Sequence, residues 1–235
     1  MSRLPDFVMI GAMKCATTTL ADQLSAQDGL FITTPKEPCY FSDDDVYERG
    51  FHAYSALFDE AAPDELVGEA STHYTKLPAY PHTIARMQAH GFAGKLVYIM
   101  RHPVDRLVSH YIHAWTENEI DCSVSDAVDR LPGLIDYGRY AMQIDPYLEA
   151  FGKSRVLPVF YDRMVASPLR ELARVCDFLG HPHAVAWDHS QAHQNVSADR
   201  MRASPMRDQV INAPGVRSVC RWFPRPLRKL SLIHI

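Results

Sequence analysis

The chain is 235 residues long, with 47% apolar residues, 22% charged residues and a formal net charge of −4. This usage excludes a disordered chain, a collagen-like fibre and a disulfide-stapled mini-protein, and the length suffices to bury a large core unaided. A sequence pI near 6.3 gives no global case for a nucleic-acid partner.

In chain order, apolar runs of strand length alternate with segments of helical period. Residues 7–10 read as a short buried strand, 17–26 as a helix and 30–33 as a second strand. Residues 65–69 read as a third strand and 79–90 as a helix. The run KLVYIM (95–100) is the clearest strand. Pro103 suits a first helical position and opens a helix to about Trp115. A helix is expected over 140–151, interrupted or kinked at Pro146. A strand is expected over 155–161, where Pro158 argues for a sheet edge or a bulge. Ser167 and Pro168 start a last helix that runs to Leu179 and stops at Gly180.

Strands separated by helices imply βαβ units, and so a central parallel sheet with helices on both faces. Such sheets bind ligands beyond the carboxyl ends of their strands. No repeat or low-complexity linker divides the chain, so a single α/β domain over 1–235 is expected.

The five cysteines (15, 39, 122, 176 and 220) include no CxxC pair, which suits a reducing compartment and suggests neither a zinc site nor a redox pair. No apolar run reaches a membrane span, and no signal-peptide pattern stands at the start. A cytoplasmic protein is therefore expected. Residues 196–235 carry eight Lys or Arg against two Asp or Glu. This basic segment reads as a solvated tail, an anion contact or a peripheral touch on an anionic membrane.

The first strand runs into GAMKCATTTL (11–20). A glycine turn, a lysine and hydroxyl residues at a helix start make a phosphate cradle, because free N–H groups and the helix dipole favour an anion. It is not a Walker A loop, since Lys14 follows the only glycine by three residues. The fourth clear strand ends in Arg101, where an NTPase often places a magnesium-binding Asp. The loop reads as an anion site that needs no metal.

KCATTTL resembles the KxGTTxL loop of sulfotransferases that use 3′-phosphoadenosine 5′-phosphosulfate (PAPS). The resemblance implies that Lys14, Cys15, Ala16, Thr17, Thr18 and Thr19 bind the 5′-phosphosulfate. Ala16 stands where the family usually has Gly, which fits only if the backbone there needs no positive φ. RHPVDRLVS (101–109) resembles the 3′-phosphate motif of the same family, 87 residues beyond Lys14. It implies Arg101 and Ser109 as 3′-phosphate ligands, with Arg106 structural. The segment 159–180 (VFYDRMVASPLRELARVCDFLG) also matches, and it puts Tyr161 near the adenine. The resemblance covers roughly residues 5–181. Past it, Arg200 and Arg202 are candidates for a late basic loop over the nucleotide.

KEPCYF (36–41) resembles the K-E-x-x-F-F segment of heparan-sulfate-type and bacterial sulfotransferases, whose glutamate is the proposed base. An attacking hydroxyl must lose its proton, so Glu37 is the candidate base, with a pKa raised by burial or a neighbouring anion. His73 is the rival base. Lys36, Ser71, His73 and Tyr74 are the expected acceptor contacts. GEASTHYT (68–75) departs from the heparan-type E-K-[ST]-P-x-Y, since Ala70 replaces a lysine that assists catalysis. That departure speaks against heparan sulfate itself as acceptor.

The resemblance therefore implies a P-loop-like three-layer α/β fold. It implies an enzyme moving a sulfuryl group from PAPS to a hydroxyl or amine of a glycan, lipid or secondary metabolite, leaving adenosine 3′,5′-bisphosphate (PAP); the absence of a Golgi-type anchor leads us to expect a bacterial cytosolic one. The alternatives are a P-loop small-molecule kinase and a nucleotide-binding module without catalysis.

Overall fold

The computed structural model describes residues 3–190. Five strands form one all-parallel sheet: β1 (Phe7–Gly11), β2 (Leu30–Ile32), β3 (Leu66–Ala70), β4 (Lys95–Met100) and β5 (Val156–Phe160). Their order is β2-β3-β1-β4-β5. Every residue of β1 is buried, as are four of the six in β4. Strands covered on both faces read as continuous apolar runs, which is why FVMI and KLVYIM stand out in the sequence.

Ten α-helices connect and cover the strands: α1 (Thr17–Ser25), α2 (Asp44–Glu48), α3 (Phe51–Ser55), α4 (Thr83–Ala89), α5 (Pro103–Thr116), α6 (Val124–Arg130), α7 (Gly133–Asp136), α8 (Tyr140–Phe151), α9 (Tyr161–Ala166) and α10 (Pro168–Leu179). Pro103 and Pro168 sit in the first turns of α5 and α10, where a missing N–H costs nothing. Gly180 closes α10 in the left-handed conformation (φ 82°) that glycine adopts without strain. Pro146 lies inside α8, so the helix continues through it. Pro158 lies on an edge strand, where its missing donor breaks no internal ladder.

Most of the core is one cluster around β1 and β4, including Phe7, Ile10, Leu20, Leu24, Val97 and Ile99. A satellite core of Ala114, Ile120, Ala127 and Leu134 forms under α5, α6 and α7. Arg106 joins the two regions. It is fully buried and donates to the carbonyls of Gly133 and Leu134 and to His110 Nδ1. Its place among carbonyls agrees with the structural reading given to it above.

The sheet order has a consequence for ligands. From β1 the chain goes to β2 and β3 on one side, then to β4 and β5 on the other. The strand order therefore reverses between β1 and β4, and a crevice opens beyond their carboxyl ends. GAMKCATTTL leaves β1 at that crevice, and Arg101 leaves β4 beside it. Among the described residues no helix is long and apolar enough to cross a membrane. Arg200, Arg202 and the basic segment 196–235 lie outside the described residues.

Candidate active site

The nucleotide half of the site starts at Gly11. Its φ is 147°, and a Cβ there would stand 2.0 Å from Thr75 Oγ1, so only glycine fits. Ala12 N–H then donates to Ile99 O (2.8 Å), which ties the loop to β4. Lys14 (φ 68°) and Ala16 (φ 64°) are both left-handed. Left-handed residues in such a turn aim successive N–H groups into one concavity. Leu20 N–H closes onto Ala16 O (3.2 Å), so the amides of Thr17, Thr18 and Thr19 precede the helical ladder. No side chain caps α1, and no acidic residue lies in its first turn. The opening of α1 thus offers donors and a positive dipole end without a protein acceptor of its own.

Two expectations for this loop are corrected. Cys15 N–H is already engaged by Ala12 O (3.2 Å), and the Cys15 side chain is fully buried, with Sγ 3.6 Å from Tyr140 Oη. Cys15 therefore supports the loop from beneath. Ala16, compatible with the motif only in a right-handed backbone, is left-handed after all. A left-handed L-residue costs roughly 1–2 kcal/mol, of which glycine's extra chain entropy would return about 0.5–1. Ala16→Gly is thus expected to raise the unfolding free energy by about 0.5–1 kcal/mol, measured by urea denaturation, and a loss of stability would contradict this strain.

Arg101 stands at the end of β4 with its guanidinium 4.8 Å from the centre of the Tyr161 ring. Its Nε is buried and has no hydrogen-bond partner. A buried, unused guanidinium donor beside an uncapped helix start fits a phosphorylated nucleotide. Ser109 is buried one helix span further along α5. Tyr140, which sequence reasoning passed over, joins the two motifs. Its hydroxyl donates to Arg101 O (2.7 Å), accepts from Arg101 N–H (3.2 Å) and touches the Cys15 thiol.

The acceptor half is built on the loop after β2. Glu37 N–H donates to Ala70 O (3.0 Å), fixing the loop to the end of β3. Glu37 (φ 62°) and Cys39 (φ 54°) are left-handed, and strain of this kind concentrates at functional sites. The Glu37 carboxylate accepts from Thr72 N–H (2.9 Å), from the Thr72 hydroxyl (3.0 and 3.1 Å) and from Lys36 Nζ (3.2 Å). Lys36 Nζ also donates to Thr18 Oγ1 (3.2 Å). One ammonium thus links the candidate base to the start of α1.

The expected upward pKa shift of Glu37 is overturned. Burial does push its carboxyl up, but the Lys36 charge and the Thr72 and Lys36 donors outweigh it, so the net shift is down from 4.5. His73 lies at the same place: donor atoms of Glu37, Cys39 and His73 fall within 4.8 Å of one another, a set that could also receive a metal ion. Its ring stacks on Tyr80 at 4.7 Å. Burial first, then the Lys76 charge, lowers its pKa, so its imidazole is neutral at pH 7.

Ser71 and Tyr74, expected to line the acceptor cleft, are 0% and 1% exposed. Their hydroxyls donate to Glu69 at 2.6 and 2.7 Å and accept from the Cys39 and Phe41 N–H groups at 3.0 and 3.4 Å. They hold the loop from behind instead of facing an acceptor. Glu69 also accepts from the Tyr54 hydroxyl (2.6 Å) and is fully buried. Burial pushes its carboxyl up, against three hydroxyl donors that favour the ionised form.

A profile of the sulfotransferase domain matches residues 4–216. The chain belongs to the sulfotransferase domain family. Mouse heparan sulfate glucosamine 3-O-sulfotransferase 3B1 is 30% identical over 190 residues, which are 76% of this chain and 46% of that protein. The chain therefore spans about half the length of the curated relatives it matches. Among solved structures, a sulfotransferase from Alicyclobacillus acidocaldarius superposes with a TM-score of 0.66 at 24% identity, covering 96% of this chain and 99% of the other. Mouse sulfotransferase SULT7A1, complexed with PAP, gives 0.54 at 18% identity, covering 97% of this chain and 81% of the other. These likenesses establish the P-loop-like sulfotransferase fold.

Proposed function

We propose that the chain transfers a sulfuryl group from PAPS to an acceptor hydroxyl or amine, with PAP as the second product. The observation that carries this reading is the Lys36 bridge, which sets the Glu37 carboxylate beside the anion-binding start of α1. PAPS, when bound, supplies the sulfuryl group. Arg101 and Ser109 hold the 3′-phosphate, and Tyr161 packs near the base. Lys14 and the N–H groups of Thr17, Thr18 and Thr19 stabilise the charge that develops on the leaving phosphate. Glu37 takes the acceptor proton as the acceptor oxygen bonds to sulfur and the sulfur–phosphate oxygen bond breaks. Positioning and electrostatics dominate, as in phosphoryl transfer.

Similarity to glucosamine 3-O-sulfotransferases supports a sugar hydroxyl as acceptor, and Ala70 argues against heparan sulfate in particular. The profile match over 4–216 supports one domain for the whole chain. Scattered cysteines support a reducing, cytoplasmic setting. Arg200 and Arg202 are the further candidates for holding the 3′-phosphate. Their segment follows residues 186–188, whose backbone is clamped to α1 by Gln23 and Gln27 at 2.7–2.9 Å.

The test is incubation with radiolabelled PAPS and a panel of glycan, lipid and phenolic acceptors in EDTA. A labelled acceptor and an equal amount of PAP are expected. ATP consumption that needs Mg²⁺, with no sulfated product, would overturn the reading.

A further inference from the structure

We propose that Lys76 is a catalytic residue whose ammonium contacts the sulfuryl group itself, and this rests on the sulfotransferase reading above. Lys76 is 9% exposed, and among the described residues its ammonium has no hydrogen bond and no ion pair. Its Nζ stands 5.9 Å from the centroid of the Tyr137 ring. A buried cation with no hydrogen-bonded anion is costly, so its retention calls for a ligand charge.

The backbone shows where that charge belongs. Thr75, the preceding residue, donates its hydroxyl to Ile10 O (2.6 Å) at the end of β1 and abuts Gly11, where the phosphate loop begins. Leu77, the following residue, is pinned through both backbone groups by Gln143 (2.8 and 2.9 Å). Lys76 is therefore held beside the phosphate loop on a short, fixed segment. The charges around it agree. Glu37, Cys39 and Glu119 act on Lys76, and Lys76 in turn acts on His73 and His110; His110 also feels Lys14. Lys76 thus lies within reach of the base on one side and of the phosphosulfate lysine's surroundings on the other. On the sulfotransferase reading the group in transit passes between Glu37 and the phosphate loop, within electrostatic range of Lys76. A cation there strengthens as sulfuryl oxygens are drawn away from the phosphate.

PAPS carries the sulfuryl group and PAP does not, so the two nucleotides separate this role from general phosphate binding without any acceptor. Calorimetric titration of each into the full chain is to be run on the unaltered protein, Lys76→Met and Lys76→Arg, with thermal unfolding of each in the absence of nucleotide. In Lys76→Met, PAP affinity is expected to stay within about twofold while PAPS affinity falls about tenfold, the weight of one charge-assisted contact. Lys76→Arg is expected to keep part of the PAPS preference. The melting temperature of Lys76→Met is expected to hold or rise, because an unpartnered buried charge has gone. An unchanged PAPS-to-PAP ratio, or equal loss of both with a lower melting temperature, would overturn the role in favour of a structural one. An unaltered protein that binds neither nucleotide would overturn the sulfotransferase reading, and this inference with it.

Discussion

Glu37→Gln is expected to lower kcat by about 10²–10⁴, the usual contribution of a positioned general base, while PAP affinity stays within about threefold. The amide keeps the size of the side chain and can still accept from Thr72, so the loop retains its shape. It cannot take a proton. The pH profile gives a second readout. Because Lys36 and Thr72 outweigh burial and lower the Glu37 pKa, the carboxylate is ionised throughout the neutral range. Turnover should therefore be flat from about pH 5.5 to 8 on this group's account, with its acid limb below 4.5. The same sign applies to stability: this lowered pKa contributes above the ordinary carboxylate range and loses its contribution as pH falls through the folded value. If Glu37→Gln keeps more than a tenth of the activity, while His73→Asn loses it and the unaltered protein shows its acid limb just below the ordinary histidine range, His73 is the base instead.

Glu69→Ala is the substitution expected to damage the fold most. Three hydroxyls, on Tyr54, Ser71 and Tyr74, converge on this fully buried carboxylate. Alanine would leave them without their shared acceptor and open a void under β3. Unsatisfied buried groups cost about 1–3 kcal/mol each, and breaking a buried charged network costs about 3–5 kcal/mol in total. For a chain of this length, that total corresponds to a fall of roughly 10 °C in melting temperature. Activity should fall as well, because Ser71 and Tyr74 hold the N–H groups of Cys39 and Phe41 next to the base. A variant melting within about 2 °C of the unaltered protein would show that the network is dispensable.

The sequence made the strands readable where burial is two-sided. KLVYIM occupies β4 without a boundary error, and Pro168 and Gly180 mark both ends of α10 through backbone chemistry alone. The helices between residues 44 and 55 and between 124 and 136 escaped notice. They are four to seven residues long, too short for a periodic signal, and tertiary packing holds them. The same division runs through the site. Lys14, Glu37 and Arg101 are legible because each sits in a local pattern. Glu69, Lys76 and Tyr140 are not, since their importance comes from partners brought together by the sheet, as when Tyr140 meets Arg101 across 39 residues and Cys15 across 125. The lowered Glu37 pKa is legible only in part: the Lys36 charge is its sequence neighbour, whereas Thr72, 35 residues on, supplies further donors that the fold brings to it.

The most direct test of the account is calorimetric titration of PAP in EDTA, with ATP as comparator, into the unaltered protein and Arg101→Ala. Tight binding of PAP without metal is predicted, weakened by about 100-fold in Arg101→Ala as a charge-assisted bidentate contact is lost. No PAP binding, or binding of ATP only with Mg²⁺, would contradict it and make a kinase the better description.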